Sequence, residues 1–258
     1  GEQIVTKNKQ YFINILQNSS EYLDKMQDNV AEFVFHPELT QHAYSMAFFC
    51  RCYELCTSSV ELLKLQRHAG IPSILKSAFE CLVDLDLLVK DVNYFNSLGL
   101  FALTQKIKLS ELVLNPIKIE LPEKKKNEGK QLREMFKSEI KRLKGENHKT
   151  YEPKQKIKMS TLKDRYEDIY TTLCNYSHSN VDYLEDLHFE FTENGRPTIT
   201  MFKSLELSLL YAFLNTAVLI SNHGYSLIRD LLELPIDEDL NKDLDNLLYK
   251  LRKGYDSL

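Results

Sequence analysis

Eight Gly and seven Pro are spread through 258 residues, too few breakers for the many turns of a sheet-rich fold. Between them, long stretches carry apolar residues at steps of three and four, the period of a helix with one buried face. Leu, Lys and Glu, all good helix formers, fill much of the remainder. The expectation is therefore all-α: an antiparallel helical bundle forming a single domain over 1–258. A hydrophobic content of 43% suffices for a sizeable core.

The periodicity predicts a first helix from about Ile4 to Gln27, with Tyr11, Ile15, Tyr22 and Met26 on its apolar stripe. His36-Pro37 interrupts the pattern, and a second helix follows to Arg67, with Gly70 as its C-terminal cap. Pro72 opens a third, running to Lys90, and a fourth spans Tyr94 to Leu114. Leu162, Tyr166, Ile169, Leu173 and Tyr176 share the buried stripe of a later helix. Helices from Leu205 to Leu232 and Glu238 to Lys253, divided by Pro235, complete the bundle. One stretch alternates instead. Phe189 and Phe191 interleave with Glu190 and Thr192, Asn194-Gly195 supplies positive dihedrals for a tight turn, and Thr198 to Phe202 resumes the alternation. This is an inserted β-hairpin near 187–202.

The formal charge is −4, yet Lys118 to Lys158 holds 14 Lys or Arg against 7 Asp or Glu. Residues 115–160 thus read as a charged, basic, mobile insertion, either an anion-binding arm or a solvated surface. Its Leu132, Met135, Phe136, Ile140 and Leu143 recur helically and predict one packed face. Cys50, Cys52, Cys56, Cys81 and Cys174 are odd in number, in a chain too long for a disulfide scaffold, which fits a reducing cytoplasm. The Cys50, Cys52, Cys56 cluster reads as buried apolar thiols, because no second pair at zinc-finger spacing follows. No metal and no cofactor are expected.

The amino-terminal stretch carries Glu2, Lys7 and Lys9, unlike a secretory leader. The most apolar run, Leu205 to Ile220, contains Glu206, Ser208 and Asn215 and is short for a membrane span. Walker, dinucleotide-glycine, HExxH and glycine-flanked serine patterns are absent from the sequence. Kinase, dehydrogenase and hydrolase readings therefore have no footing.

Two segments stand out together. The third helix reads Ile74-Leu75-Lys76-Ser77-Ala78-Phe79-Glu80-Cys81-Leu82-Val83-Asp84-Leu85, and about ninety residues later comes Tyr176-Ser177-His178-Ser179-Asn180. This pair resembles the bacterial proteins grouped as domain-of-unknown-function family 5677, which are similar to the HEPN helical superfamily, over roughly Gln41 to Leu232. In that family a basic residue, a small residue and a Glu open a helix, and a Tyr/Ser/His cluster ends a later one before a short hairpin. Lys76 stands where Arg is more usual.

The resemblance implies a helical homodimer, RNA as partner, and metal-independent endoribonuclease activity in a bacterial defence or toxin system. His178 and Glu80 would be the catalytic residues, with Lys76, Tyr176 and Asn180 supporting them or binding substrate. Active members carry an Arg a few residues before the His. Here positions Tyr170 to Cys174 hold none, and the nearest upstream Arg is Arg165. A non-catalytic binding or regulatory module is the alternative. Arg142 and His148 do match the spacing, but 8 Arg and 7 His give roughly 0.65 such matches by chance.

Plainer roles exist for each residue. His178 would cap or bond across the bundle, Tyr176 would be a core aromatic with its hydroxyl at the rim, and Ser179 and Asn180 would end the helix. Lys76, Glu80 and Asp84 fall at steps of four, either as a cleft wall in which Glu80 orients His178 or as an exposed ladder. At helical spacing His178 shares a side with Thr171, Cys174 and Asn175. A face mixing these with Tyr170 suits a two-fold interface.

Overall fold

The structure, a computed structural model, describes residues 2–114, 122–178 and 180–258, with the side chains of 2–5, 112–114, 165, 166, 168 and 182 left aside. Among the described residues ten α-helices run in the order α1 (Glu2–Ala31), α2 (Thr40–Lys64), α3 (Ile71–Lys90), α4 (Tyr94–Leu114), α5 (Glu123–Gly145), α6 (Pro153–Met159), α7 (Lys163–Ser177), α8 (Val181–His188), α9 (Leu207–Leu231) and α10 (Glu238–Asp256). Strands β1 (Phe189–Phe191) and β2 (Pro197–Ile199) pair antiparallel, with Phe189 opposite Ile199. The expected all-helical bundle with one small inserted hairpin is what forms.

By its contacts the chain divides into two compact units, Gly1–Val89 with Ile157–Leu258, and Lys90–Lys156. In the first, α2 lies along α9 while α1 packs on α2, α9 and α10. Close approach of α2 and α9 explains Gly224: a Cβ there would stand 3.2 Å from the Phe49 ring. The stripe predicted for α3 is the centre of the core, with Leu75, Phe79, Leu82, Leu85 and Leu88 fully buried. Each such side chain contributes about 1.5–3 kcal/mol through the water it leaves. Polar links fix the outer helices: Lys25 pairs with Asp243 at 2.6 Å, and the Tyr22 hydroxyl donates to Asn222 at 3.0 Å.

In the second unit α4 and α5 pack as a helical pair. Arg133 on α5 is salt-bridged to Glu111 on α4, and Lys106 lies 5.5 Å from the Phe136 ring. Leu143 is buried as the periodicity predicted, but Leu132 and Met135 from the same stripe are exposed. The two-helix unit covers only part of the stripe on α5. Many of its charges are spent locally, since Lys126, Lys137 and Arg142 pair with Glu123, Glu134 and Glu139 one turn away.

Helix ends differ from expectation in an instructive way. α2 stops at Lys64, where Gln66 turns left-handed with φ 55° and the Arg67 N–H returns to Leu62 O at 2.9 Å. That closes the helix before Gly70, which lies in a short 3-10 turn, His68–Gly70. Asn147 and Glu233 end α5 and α9 in the same manner. Gln66 and Glu233 thus occupy a position usually given to glycine, at a cost of about 1–2 kcal/mol each, whereas Asn147 is tolerated there at less. In the hairpin, of the Asn194-Gly195 pair only Gly195 is left-handed, with φ 72°. Its N–H donates to Thr192 O at 2.8 Å.

Candidate functional site

α7 is anchored on α3 at two levels. At its start the buried carboxylate of Asp86 accepts from the Thr161 N–H at 2.9 Å and the Thr161 hydroxyl at 2.6 Å. A negative group just ahead of a helix also suits the helix dipole. One face further on, the Tyr170 hydroxyl donates to Oε1 of half-buried Glu80 at 2.9 Å, and the Tyr170 ring lies 5.6 Å from that of Phe79. Burial, then the Glu80 carboxylate, push the Tyr170 phenol well above its ordinary pKa, so it stays a donor. Tyr170 had been expected on the exposed face of α7, and it is 6% exposed. Leu162 and Leu173 are buried as the predicted stripe requires, and the buried face takes in Tyr170 as well.

α7 ends at Ser177, and His178 adopts an extended backbone with φ −101° and ψ 156°. Its N–H closes the helix on Cys174 O at 3.1 Å, so the plain capping role is met by the backbone. The helical extrapolation that put the imidazole beside Thr171, Cys174 and Asn175 does not apply past that break. The side chain is exposed. Ser179 lies outside the described residues. Asn180 is exposed and its carbonyl accepts from the N–H groups of Tyr183 and Leu184, starting α8. α8 was missed as a helix because its eight residues lack a long stripe.

Tyr176, half-buried, faces the inside of this elbow. Its ring lies 3.9 Å from that of Tyr183 and meets Phe213 edge-on, while its hydroxyl donates to Asp186 at 3.1 Å. Burial, then the Asp186 carboxylate, push this phenol up to about 12. Beside it opens a cleft of about 350 Å³ whose charged walls include Asp186, Glu206 and Lys203. The Lys203 ammonium is held by Phe189 O at 2.7 Å.

Of the five sequence-derived candidates, the fold brings Tyr176, His178 and Asn180 to one elbow. Lys76 and Glu80 share a face of α3, one turn apart, both half-buried. Among the described residues no hydrogen bond joins Glu80 to His178. The partner of Glu80 is Tyr170, eight residues and about 12 Å of helix before the histidine. Tyr170 and Asp86 are the residues the sequence reading overlooked. Asp86 had a signal: it sits four residues after Leu82 on the buried stripe of α3, where an acid requires donors.

Elsewhere, Arg142 pairs with both Glu139 and Glu146, and His148 lies 3.7 Å from Glu146. Cys52 and Cys56 are buried as expected, whereas Cys50 is exposed and Cys81 and Cys174 are intermediate. Burial and then Asp84 push the Cys81 thiol up to about 11, away from nucleophilic use. Among the described residues no three His, Cys, Asp or Glu stand together as metal ligands, and no helix is long and apolar enough to cross a membrane.

An all-helical bundle whose later helices turn through a Tyr/Ser/His elbow into a short hairpin defines a class of helical module. The profile of a family of unknown function, DUF5677, matches residues 42–196, and the chain belongs to that family. All five candidate residues fall inside the match. No curated protein and no solved structure matches the chain.

Proposed function

We propose that the chain is a HEPN-like helical module that binds RNA through the α7–α8 elbow without cleaving it. The observation that carries this reading is the Glu80–Tyr170 bond, which commits the candidate acid to holding α7 on α3. His178 then stands exposed, with no Arg in the five positions from Tyr170 to Cys174 to steady a phosphorane-like charge. An exposed imidazole at His178 and a neighbouring exposed amide at Asn180 are groups suited to stacking on and hydrogen bonding with an unpaired base. The HEPN kinship and a place in bacterial defence come with the resemblance, an argument by analogy, and a cytoplasmic setting is what the odd cysteine count fits.

The test is incubation of purified protein with a labelled mixed RNA panel in the presence of chelator. Retarded but intact RNA is expected. Chelator-resistant cleavage leaving cyclic phosphate ends, and lost in His178→Ala, would install the nuclease reading instead. A homodimer with α7 at its two-fold interface belongs to the same proposal, resting on the exposed Thr171 and half-exposed Cys174 and Asn175. Sedimentation showing a concentration-independent monomer would remove it.

A further inference from the structure

A second cavity, of about 750 Å³, opens in the larger unit between α1, the end of α2, the segment before α9 and the end of α10. Its volume lies within the range of about 300–1,000 Å³ usual for small-molecule sites. Phe12, Leu16, Leu63, Leu205 and Leu210 give it an apolar wall. Its polar lining is one-sided in charge: Lys9, Lys64 and His68 contribute, and no Asp or Glu does among the described residues. Lys64 is also paired with Glu61 at 2.7 Å, while Lys9 is exposed at the mouth.

His68 is the anomaly. It is 5% exposed, and both ring nitrogens are buried with no hydrogen-bond partner. Leaving such a group unsatisfied costs about 1–3 kcal/mol, and with its nitrogens closed off His68 lines the cavity through its other atoms. The strained Gln66 turn and the Arg67 guanidinium, 4.2 Å over the Phe202 ring, fix the backbone on which His68 sits.

We infer that this cavity binds a small amphipathic anion, an apolar chain or ring system bearing one carboxylate-like head. The chain fills the leucine-lined space, where apolar area leaving water drives binding. Lys9 and Lys64 present ammonium donors to the oxyanion, and the absence of acidic side chains from the wall disfavours a cationic head. Ser204 and Leu205 wall both this cavity and the smaller cleft beside Tyr176, so an occupant would touch the segment that borders the elbow. The inference stands apart from RNA binding and does not require it.

Calorimetric titration of the full chain with dodecanoate, dodecanol and dodecyltrimethylammonium, all in monomeric form, tests it. One dodecanoate per chain is expected, with the alcohol weaker and the cation weakest. Lys9→Glu, at an exposed position, should weaken dodecanoate about fivefold and leave dodecanol unchanged. His68→Leu should raise the melting temperature of the unliganded protein and leave dodecanoate affinity within about twofold. Circular dichroism establishes that each variant is folded. No heat with dodecanoate, more than one molecule per chain, equal binding of the three amphiphiles, or indifference of folded Lys9→Glu would each overturn the proposal.

Discussion

The Tyr170 hydroxyl and the Glu80 carboxylate, ninety residues apart in sequence, meet at 2.9 Å and tie the helix that ends in His178 to the most buried helix of the bundle. A hydrogen bond to a charged acceptor in a half-buried setting is worth about 1.5–3 kcal/mol. Tyr170→Phe should therefore lower unfolding free energy by about 2 kcal/mol. Glu80→Gln, which keeps an acceptor of the same shape, should cost less. In urea titrations the double variant should fall short of the sum of the singles, since both substitutions act on one bond. Strict additivity would mean the pair is not coupled.

Asp86 is fully buried and takes two donors from Thr161. Asp86→Ala strands both donors and should lower stability by about 3 kcal/mol. Thr161→Val removes only the hydroxyl bond and should cost about 1 kcal/mol. Thermal melts of the two variants read this order directly, and the reverse order would contradict the anchoring role of Asp86.

Burial lowers the pKa of His68 below the ordinary histidine value. The folded ring resists protonation while the unfolded chain accepts a proton below about 6.5. The unfolded state thus binds more protons in that window, and stability falls as pH drops from the ordinary histidine pKa toward the depressed folded one. Between about pH 7.5 and about pH 5 the wild-type melting temperature should fall more than that of His68→Leu. Parallel decline of the two would show that His68 does not titrate across folding.

Much of this architecture was legible because it rests on period and punctuation. Ile74, Leu75, Ala78, Phe79, Leu82 and Leu85 recur at helical steps, and all but Ile74 are buried in α3. The bounds of α4 coincide with the expected Tyr94 to Leu114. Less legible were features set by tertiary contact. Gln66 takes the left-handed turn ahead of Gly70, because the chain must reverse early to place His68. Tyr170 looked exposed by extrapolation from its neighbours, yet Phe79 and Glu80 on another helix decide its fate. His178, Tyr176 and Asn180 were identifiable as a cluster from their adjacency. That Glu80 bonds Tyr170 and none of these three depended on a distance no spacing encodes.

The most direct test of the RNA-binding account is fluorescence anisotropy of a labelled single-stranded RNA titrated with wild type, His178→Ala and Asn180→Ala, in chelator, with the RNA recovered on a denaturing gel. The account expects saturable binding, a loss of roughly three- to tenfold in affinity for each variant from one lost hydrogen bond, an unchanged melting temperature for His178→Ala, a folded circular-dichroism spectrum for Asn180→Ala, and full-length RNA in every lane. Binding that is absent in folded wild type, or that is indifferent to both substitutions, would contradict it.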